Sequence, residues 1–102
     1  MTRCDLSLGF VGLGALGLPM AINLHRAGFP LRVHTRSRTA ETNPELEGAA
    51  RCSSPADAST GIDVLLLCVS DDAAVENVLF GPDGAASQLS TGSVVLDCST
   101  IA

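Results

Sequence analysis

Three glycines near the amino terminus have a spacing that suits chemistry on a phosphate group. They are Gly12, Gly14 and Gly17 in the stretch GFVGLGALGLPM, which gives the pattern G-x-G-x-x-G. A strand-like segment, LSLGFV, precedes them and a helix-like segment, ALGLPMAINLHRAG, follows. In a strand–turn–helix unit the first glycine permits the tight turn, the second lets the backbone approach a pyrophosphate, and the third lets the helix pack closely on the strand. We therefore interpret this stretch as a dinucleotide phosphate site formed by Gly12, Leu13, Gly14, Ala15, Leu16 and Gly17.

A membrane span and a signal peptide are two alternative interpretations of the same stretch, because no residue from Leu6 to Leu24 is charged. A span needs about 20 predominantly apolar residues, whereas this run contains several glycines, Pro19 and Asn23. A signal peptide needs a basic start and a small-residue cleavage site, and here Asp5 offsets the basic start. The pattern therefore favours a folded domain with no membrane association.

The helix after the glycines is expected to bury one apolar face. Leu16, Met20, Leu24 and Ala27 recur at helical spacing, and Gly28 suits the stop. Pro19 is tolerated because it falls near the first turn, where N–H groups have no helical partners. A helix N-terminus at this point would also offer N–H donors and a partial positive charge to the phosphates.

The remaining sequence alternates strand and helix patterns. A second strand, PLRVHT, ends at Thr35, PELEGAA is a short helical candidate, and a weak third strand covers residues 50–52. A capped short helix, SPADAST, a buried strand, IDVLLLCVS, a helix, DDAAVENVLF, a turn, GPDG, and a fifth strand, GSVVLDC, follow in that order. Such alternation predicts an α/β fold, a Rossmann-type doubly wound parallel sheet of order 3-2-1-4-5 that stops after strand five.

Composition limits the classes of protein that the chain can belong to. With 102 residues and 46% hydrophobic residues, it is expected to form one domain over residues 1–102. A net charge of −5 disfavours nucleic-acid binding, although an arginine cluster at Arg32, Arg36 and Arg38 could meet a small anion. The four cysteines have no metal-ligand or redox spacing and are interpreted as reduced, which predicts a cytoplasmic location.

Four ordered segments resemble the β-hydroxyacid dehydrogenase family, which includes 3-hydroxyisobutyrate dehydrogenase, tartronate semialdehyde reductase and, more distantly, 6-phosphogluconate dehydrogenase. The segments are GFVGLGALGLPMAINLHRAG, VHTRS, DVLLLCVSDDAAVENVLFGPDG and VVLDCSTIA. Thr35 stands where the family usually has Asn, and Ser70 where it usually has Pro. The resemblance implies only the N-terminal NAD(P)-binding domain. The family's substrate loop, catalytic lysine and helical C-terminal domain would follow Ala102, and the chain contains no lysine.

The residues after the second strand indicate which cofactor is preferred. An acid at this position would accept hydrogen bonds from the ribose 2′-OH and repel a 2′-phosphate, but the sequence has Thr35, Arg36 and Ser37. Arg36 can grip a phosphate through two parallel N–H bonds. We therefore expect NADP, with NAD possible. A solvated arginine on a polar loop is the alternative interpretation.

Other contacts are expected where the strand order reverses. Val69 and Ser70, after strand four, should border the nicotinamide ribose. The resemblance implies that Val75 packs near the adenosine side and that Thr100 approaches the nicotinamide end. Ser99 could reach substrate or be a plain strand-end hydroxyl. No catalytic residue is assigned, no metal site is expected, and His25 and His34 are interpreted as structural or solvent-facing.

Two functions remain open at this stage. The first is the cofactor half of an enzyme that, as the resemblance implies, moves a hydride between NADP and a small hydroxyacid or semialdehyde. The second is a truncated Rossmann module that binds a nucleotide or a partner subunit without chemistry. In either case, an uncovered fifth strand predicts self-association through the sheet edge.

Overall fold

The computed structural model describes residues 6–13, 17–36, 40–69, 72–89 and 92–98. Five strands form one parallel sheet of order β3-β2-β1-β4-β5, as the sequence predicts. The strands are β1 (Leu8–Val11), β2 (Leu31–His34), β3 (Ala50–Arg51), β4 (Val64–Leu67) and β5 (Val94–Asp97). The helices are α1 (Gly17–Arg26), α2 (Pro55–Ala58) and α3 (Asp72–Phe80).

Both faces of the central strands are buried, because successive side chains of a strand point to opposite faces. On one face Phe10 and Leu66 pack with Ile22 of α1. On the other face Leu65 and Leu67 pack with Ala58 of α2, and α3 adds partly buried side chains. The sheet is therefore the middle of three layers, which accounts for the unbroken apolar run in β4.

Helix α1 packs against the sheet with part of the apolar set that recurs at helical spacing in the sequence. Ala21 and Ile22 are the buried apolar side chains, whereas Met20 and Leu24 are only partly buried. Ala27 is exposed because the helix ends at Arg26 and the chain turns at Gly28, which has a φ of 96°. Gly17 and Ala21 share one buried helical stripe, and larger side chains beside it, such as Ile22, also pack against the core.

The segment PELEGAA does not form the helix that was expected. Two short 3-10 turns, Ala40–Thr42 and Pro44–Leu46, connect β2 to β3 instead. Pro44 disfavours helical backbone at the residue before it, and the Asn43 side chain accepts a hydrogen bond from the Glu45 amide and so starts a new turn there. Gly48, with a φ of 98°, then leads the chain into β3.

Two shorter predictions are confirmed. Ser54 caps α2, since its hydroxyl accepts a hydrogen bond from the Asp57 amide and Pro55 is the first helical residue. Gly81 to Gly84 form the turn after α3.

Cys52, Cys68 and Cys98 are free thiols, while the cytoplasmic location stays a prediction. Within the described ranges, no helix is long and apolar enough to cross a membrane.

Candidate cofactor-binding site

The site lies where the carboxyl ends of the central strands meet. The amide of Gly12 donates to the carbonyl of His34 (3.0 Å), and the amide of Cys68 donates to the carbonyl of Val11 (2.9 Å). These bonds carry the sheet pairing one residue beyond the strands. Since β1 lies between β2 and β4, the strand order reverses at this point, and ligands of doubly wound sheets bind in the crevice that the reversal creates.

The turn after β1 is built around two glycines that have no room for a side chain. Gly12 has a φ of 98°, and a Cβ there would lie 2.2 Å from the carbonyl oxygen of Cys68. A Cβ on Gly17 would lie 2.1 Å from the carbonyl oxygen of Gly12. The two glycines therefore let β1, the residues after β4 and α1 pack backbone to backbone, which is the close packing that the turn of a dinucleotide site requires. Gly14, Ala15 and Leu16 lie outside the described residues.

Helix α1 directs its N-terminus at the same crevice. It begins at Gly17, and its first-turn N–H groups have no carbonyl four residues earlier within the helix to bond. The first turn contains no acid that would compete for these donors. Leu13, between the strand and the helix, is buried in the core and anchors the turn. The arrangement can hold an anion through backbone groups and the helix dipole.

Of the arginines at 32, 36 and 38 that could meet a small anion, Arg32 is engaged by another element of the fold. Arg32 bonds to α2, because its Nε and Nη2 donate to the carbonyl of Asp57 and Nη2 also reaches the Asp57 carboxylate at 2.9 Å. Arg36 is exposed in the turn after β2. Arg38 and Ser37 lie outside the described residues. Arg36 is thus the described arginine that remains a candidate for a 2′-phosphate.

A buried acid, Glu41, lies at the end of β2, and sequence reasoning missed it. Its Oε2 accepts a hydrogen bond from the Thr35 amide at 2.6 Å, and the residue is 3% exposed. Nothing in the sequence marked it, since an acid six residues beyond a strand in a polar segment is typical of a solvated loop. The strand-end position itself is Thr35, as the sequence has it, and Glu41 reaches it only through the fold.

The residues that follow β4 form the side of the crevice opposite the end of β2. Val69 is half-buried, and its Cγ1 would be 3.0 Å from a Cβ placed on Gly12, so it lies beside the glycine turn. The Cys68 thiol donates to the carbonyl of Cys98 at 3.5 Å. Burial raises the pKa of the Cys68 thiol, with smaller contributions from Cys98 and Asp97, so the neutral thiol is favoured. Ser70, Ser99 and Thr100 lie outside the described residues.

Three further residues, Val75, His25 and His34, contact other parts of the protein. Val75 on α3 packs against the core cluster that includes Leu65 and Leu67. His25 donates through Nε2 to the carbonyl of Glu47 at 2.6 Å, and His34 donates through Nδ1 to the carbonyl of Cys52 at 2.9 Å. Both histidines thus have the structural role that was expected, whereas a contact between Val75 and a cofactor stays a prediction.

The sheet order, the glycine turn and the helix N-terminus together define a Rossmann-type dinucleotide-binding domain. Residues 7–102 match the family described as the NAD binding domain of 6-phosphogluconate dehydrogenase. The chain belongs to this family and is an NAD(P)-binding domain.

Similar proteins include complete dehydrogenases and reductases. The 2-hydroxy-3-oxopropionate reductase of Escherichia coli K12 is 38% identical over 94% of this chain and 32% of its own length. The NAD-dependent L-serine dehydrogenase of Pseudomonas aeruginosa PAO1 is 37% identical over 93% of this chain and 32% of its own. The solved structure of Psf3 in complex with NADP+ and 2-OPP has a TM-score of 0.82 and 32% identity, covering 93% of this chain and 34% of that one. The chain thus spans about a third of the length of the curated relatives it matches.

Proposed function

We propose that this chain is the cofactor-binding part of an NADP(H)-dependent oxidoreductase acting on a β-hydroxyacid or semialdehyde. The observation that carries the proposal is the close-packed glycine turn, in which Gly12 and Gly17 leave no space for a Cβ where β1, β4 and α1 meet. Similarity to a 2-hydroxy-3-oxopropionate reductase supports the substrate class. The nicotinamide, when bound, supplies or accepts the hydride.

Each residue at the crevice has a proposed part in holding the cofactor. The stretch from Gly12 to Gly17 surrounds the pyrophosphate, with backbone donors from the start of α1. Val69 and Ser70 border the nicotinamide ribose, Val75 lies toward the adenosine side, and Thr100 lies toward the nicotinamide. Ser99 reaches substrate. Holding the dinucleotide this way positions the reacting carbon of the nicotinamide at the carboxyl ends of β4 and β5.

NADP is the preferred cofactor because of the residues after β2. Arg36 is exposed there, and a guanidinium can hold a 2′-phosphate through two N–H donors. Charge-assisted bonds of this kind contribute about 1.5–3 kcal/mol, equivalent to roughly a tenfold to hundredfold preference. Thr35 offers no carboxylate to the 2′-OH that would favour NAD.

Calorimetric titration with NADP+ and NAD+ tests this assignment. Arg36→Ala should weaken NADP+ binding by about tenfold to a hundredfold and leave NAD+ binding nearly unchanged, since only NADP+ carries the 2′-phosphate. Arg26→Ala is the matched control, because Arg26 is an exposed arginine at the far end of α1 whose ion pair is with Glu45. Equal wild-type affinities, or an Arg36→Ala variant with unchanged NADP+ affinity, would sink the assignment.

Catalysis requires a general base in addition to the cofactor. A hydroxyl proton has to be taken up as the carbonyl forms, which needs a positioned general base. The chain has no lysine, so we propose that a lysine-bearing helical substrate domain follows residue 102 in the complete enzyme. Sequencing the source gene beyond the Ala102 codon tests this proposal directly. A reading frame that encodes such a domain supports it, and an immediate stop codon contradicts it.

A non-enzymatic binding module is the second candidate, and one observation favours it. The apolar side chains of β5 are exposed, with Val94 at 50%, Val95 at 38% and Leu96 at 48%. Among the described strands β5 pairs only with β4, so its outer edge is available to another polypeptide. For the chain by itself, we propose that a second copy takes this position.

A further inference from the structure

The turn that carries Arg36 is held by a buried carboxylate. Glu41 belongs to the 3-10 turn Ala40–Thr42, and its side chain is fully inaccessible to solvent. Its Oε2 accepts the Thr35 amide at 2.6 Å and lies 3.8 Å from His34 Nδ1, while its Oε1 lies 3.5 Å from Arg51 Nε. One side chain thus connects the end of β2, the following turn and β3.

The buried charge of Glu41 has to be compensated by neighbouring groups, because an unpaired buried charge is costly. The Thr35 N–H and the Arg51 guanidinium satisfy and offset the carboxylate. The result is a fixed peptide group between His34 and Thr35, one residue before the exposed Arg36. The carbonyl of this peptide accepts the Gly12 amide at 3.0 Å, so Glu41 holds the N–H side of a peptide whose other side is held by β1.

The same geometry excludes the usual role of an acid at this strand end. A carboxylate that accepts the ribose 2′-OH has to be accessible to the ligand, whereas the Glu41 side chain is inaccessible and is directed at groups of the protein. Because Arg51 offsets its charge, Glu41 also adds little repulsion toward a 2′-phosphate. A buried acid near β2 is therefore compatible with NADP.

We propose that Glu41 is a positioning residue for cofactor selection, which acts by fixing the backbone from which Arg36 extends toward the 2′-phosphate. The proposal rests on the proposed function, since it assumes that Arg36 binds this phosphate. Ordering the turn in advance lowers the cost of immobilising it when NADP binds. Glu41 would therefore increase the preference for NADP over NAD without touching either cofactor.

Two substitutions that nearly preserve the volume of the Glu41 side chain distinguish a hydrogen-bonding role from simple packing. Glu41→Gln keeps an oxygen that can accept the Thr35 amide, whereas Glu41→Met fills the space without an acceptor. Titration with NADP+ and NAD+ should show Glu41→Met weakening NADP+ binding by about fivefold, roughly the value of one hydrogen bond, with NAD+ binding nearly unchanged. Glu41→Gln should stay close to the wild type for both cofactors.

The Arg36→Ala background provides the decisive comparison. If Glu41 acts through Arg36, Glu41→Met causes no further loss of NADP+ affinity once Arg36 is absent. Should Glu41→Met fail to fold, Glu41→Asp replaces it, because its shorter side chain keeps the charge but withdraws the acceptor from Thr35. Equal losses for NADP+ and NAD+, or an undiminished loss in the Arg36→Ala background, would overturn the proposal. A wild-type chain that does not prefer NADP+ would instead show that the proposed function itself is wrong.

Discussion

At the scale of single residues, Gly12 meets two requirements that a side chain would violate. Its φ of 98° is in the left-handed region, and a Cβ would lie 2.2 Å from the carbonyl oxygen of Cys68. Gly61 shares the first requirement, with a φ of 72°, but has open space around it. Comparing substitutions at the two glycines therefore separates the cost of backbone strain, which both positions share, from the cost of a steric clash, which only Gly12 has.

We expect Gly12→Ala to destabilise the fold by about 2–4 kcal/mol, because left-handed strain of about 1–2 kcal/mol adds to the cost of overpacking. Gly61→Ala should cost only the strain. Urea unfolding of both variants measures the difference, and cofactor titration should show a loss of binding for Gly12→Ala alone. Equal destabilisation of the two variants would mean that the contact with Cys68 relaxes freely.

At the scale of elements, β5 is a parallel strand with an open edge. The amide of Val94 donates to the carbonyl of Asp63, just before β4, and the amide of Cys98 donates to the carbonyl of Leu67. Backbone directions alternate along a strand, so the polar groups of Val95 point to the outer edge. Open edges of apolar strands pair with other chains. The exposure of β5 is thus the physical basis for expecting self-association.

Sedimentation at several protein concentrations should show a dimer or larger species for the wild-type chain. Val95→Lys should shift the population to monomer, because a lysine on an edge strand opposes further pairing. Gln88→Lys is the matched control, since Gln88 is exposed outside β5. A wild-type chain that stays monomeric at high concentration would show that the β5 edge is protected.

At the scale of the whole molecule, a cofactor site needs a general base beside it before a hydride can be transferred. His25 and His34 are committed to carbonyls of Glu47 and Cys52, and the chain has no lysine. Asp97, at the end of β5, is exposed, and we expect it to hold the strand-end turn rather than to act as a base. A base contributes about 10²–10⁴ in rate, and substrate positioning adds several kcal/mol more.

These 102 residues alone should therefore turn over no hydroxyacid or semialdehyde, even with NADP bound. A panel of 3-hydroxyacids and semialdehydes, followed at the nicotinamide absorbance band, tests this expectation. Saturable turnover that Asp97→Asn or Ser99→Ala abolishes would contradict it and would indicate a complete active site within these residues. Heat-treated protein at equal concentration is the control for background reduction.

The sequence by itself determined the strand order and the place of the phosphate turn, because both depend on local patterns. Apolar runs of strand length, alternating with helix patterns, leave few arrangements for a parallel sheet. Gly12 and Gly17 were identifiable because only glycine tolerates the required backbone and spacing. The cap at Ser54 was identifiable for a similar reason, since a hydroxyl before Pro55 has a strong local preference.

Only the tertiary structure decided which charged groups surround the site. Arg32 and Arg36 look equivalent in the sequence, yet contact with Asp57 of α2 commits Arg32 to the protein. Glu41 looks like a solvated acid, yet the packing of β3 and the turn after β2 buries it against Thr35 and Arg51. These partners lie on different elements and are brought together by the fold, so no local pattern records them. Backbone conformation is set largely by neighbouring residues, whereas the partner of a charge is set by whatever element packs against it.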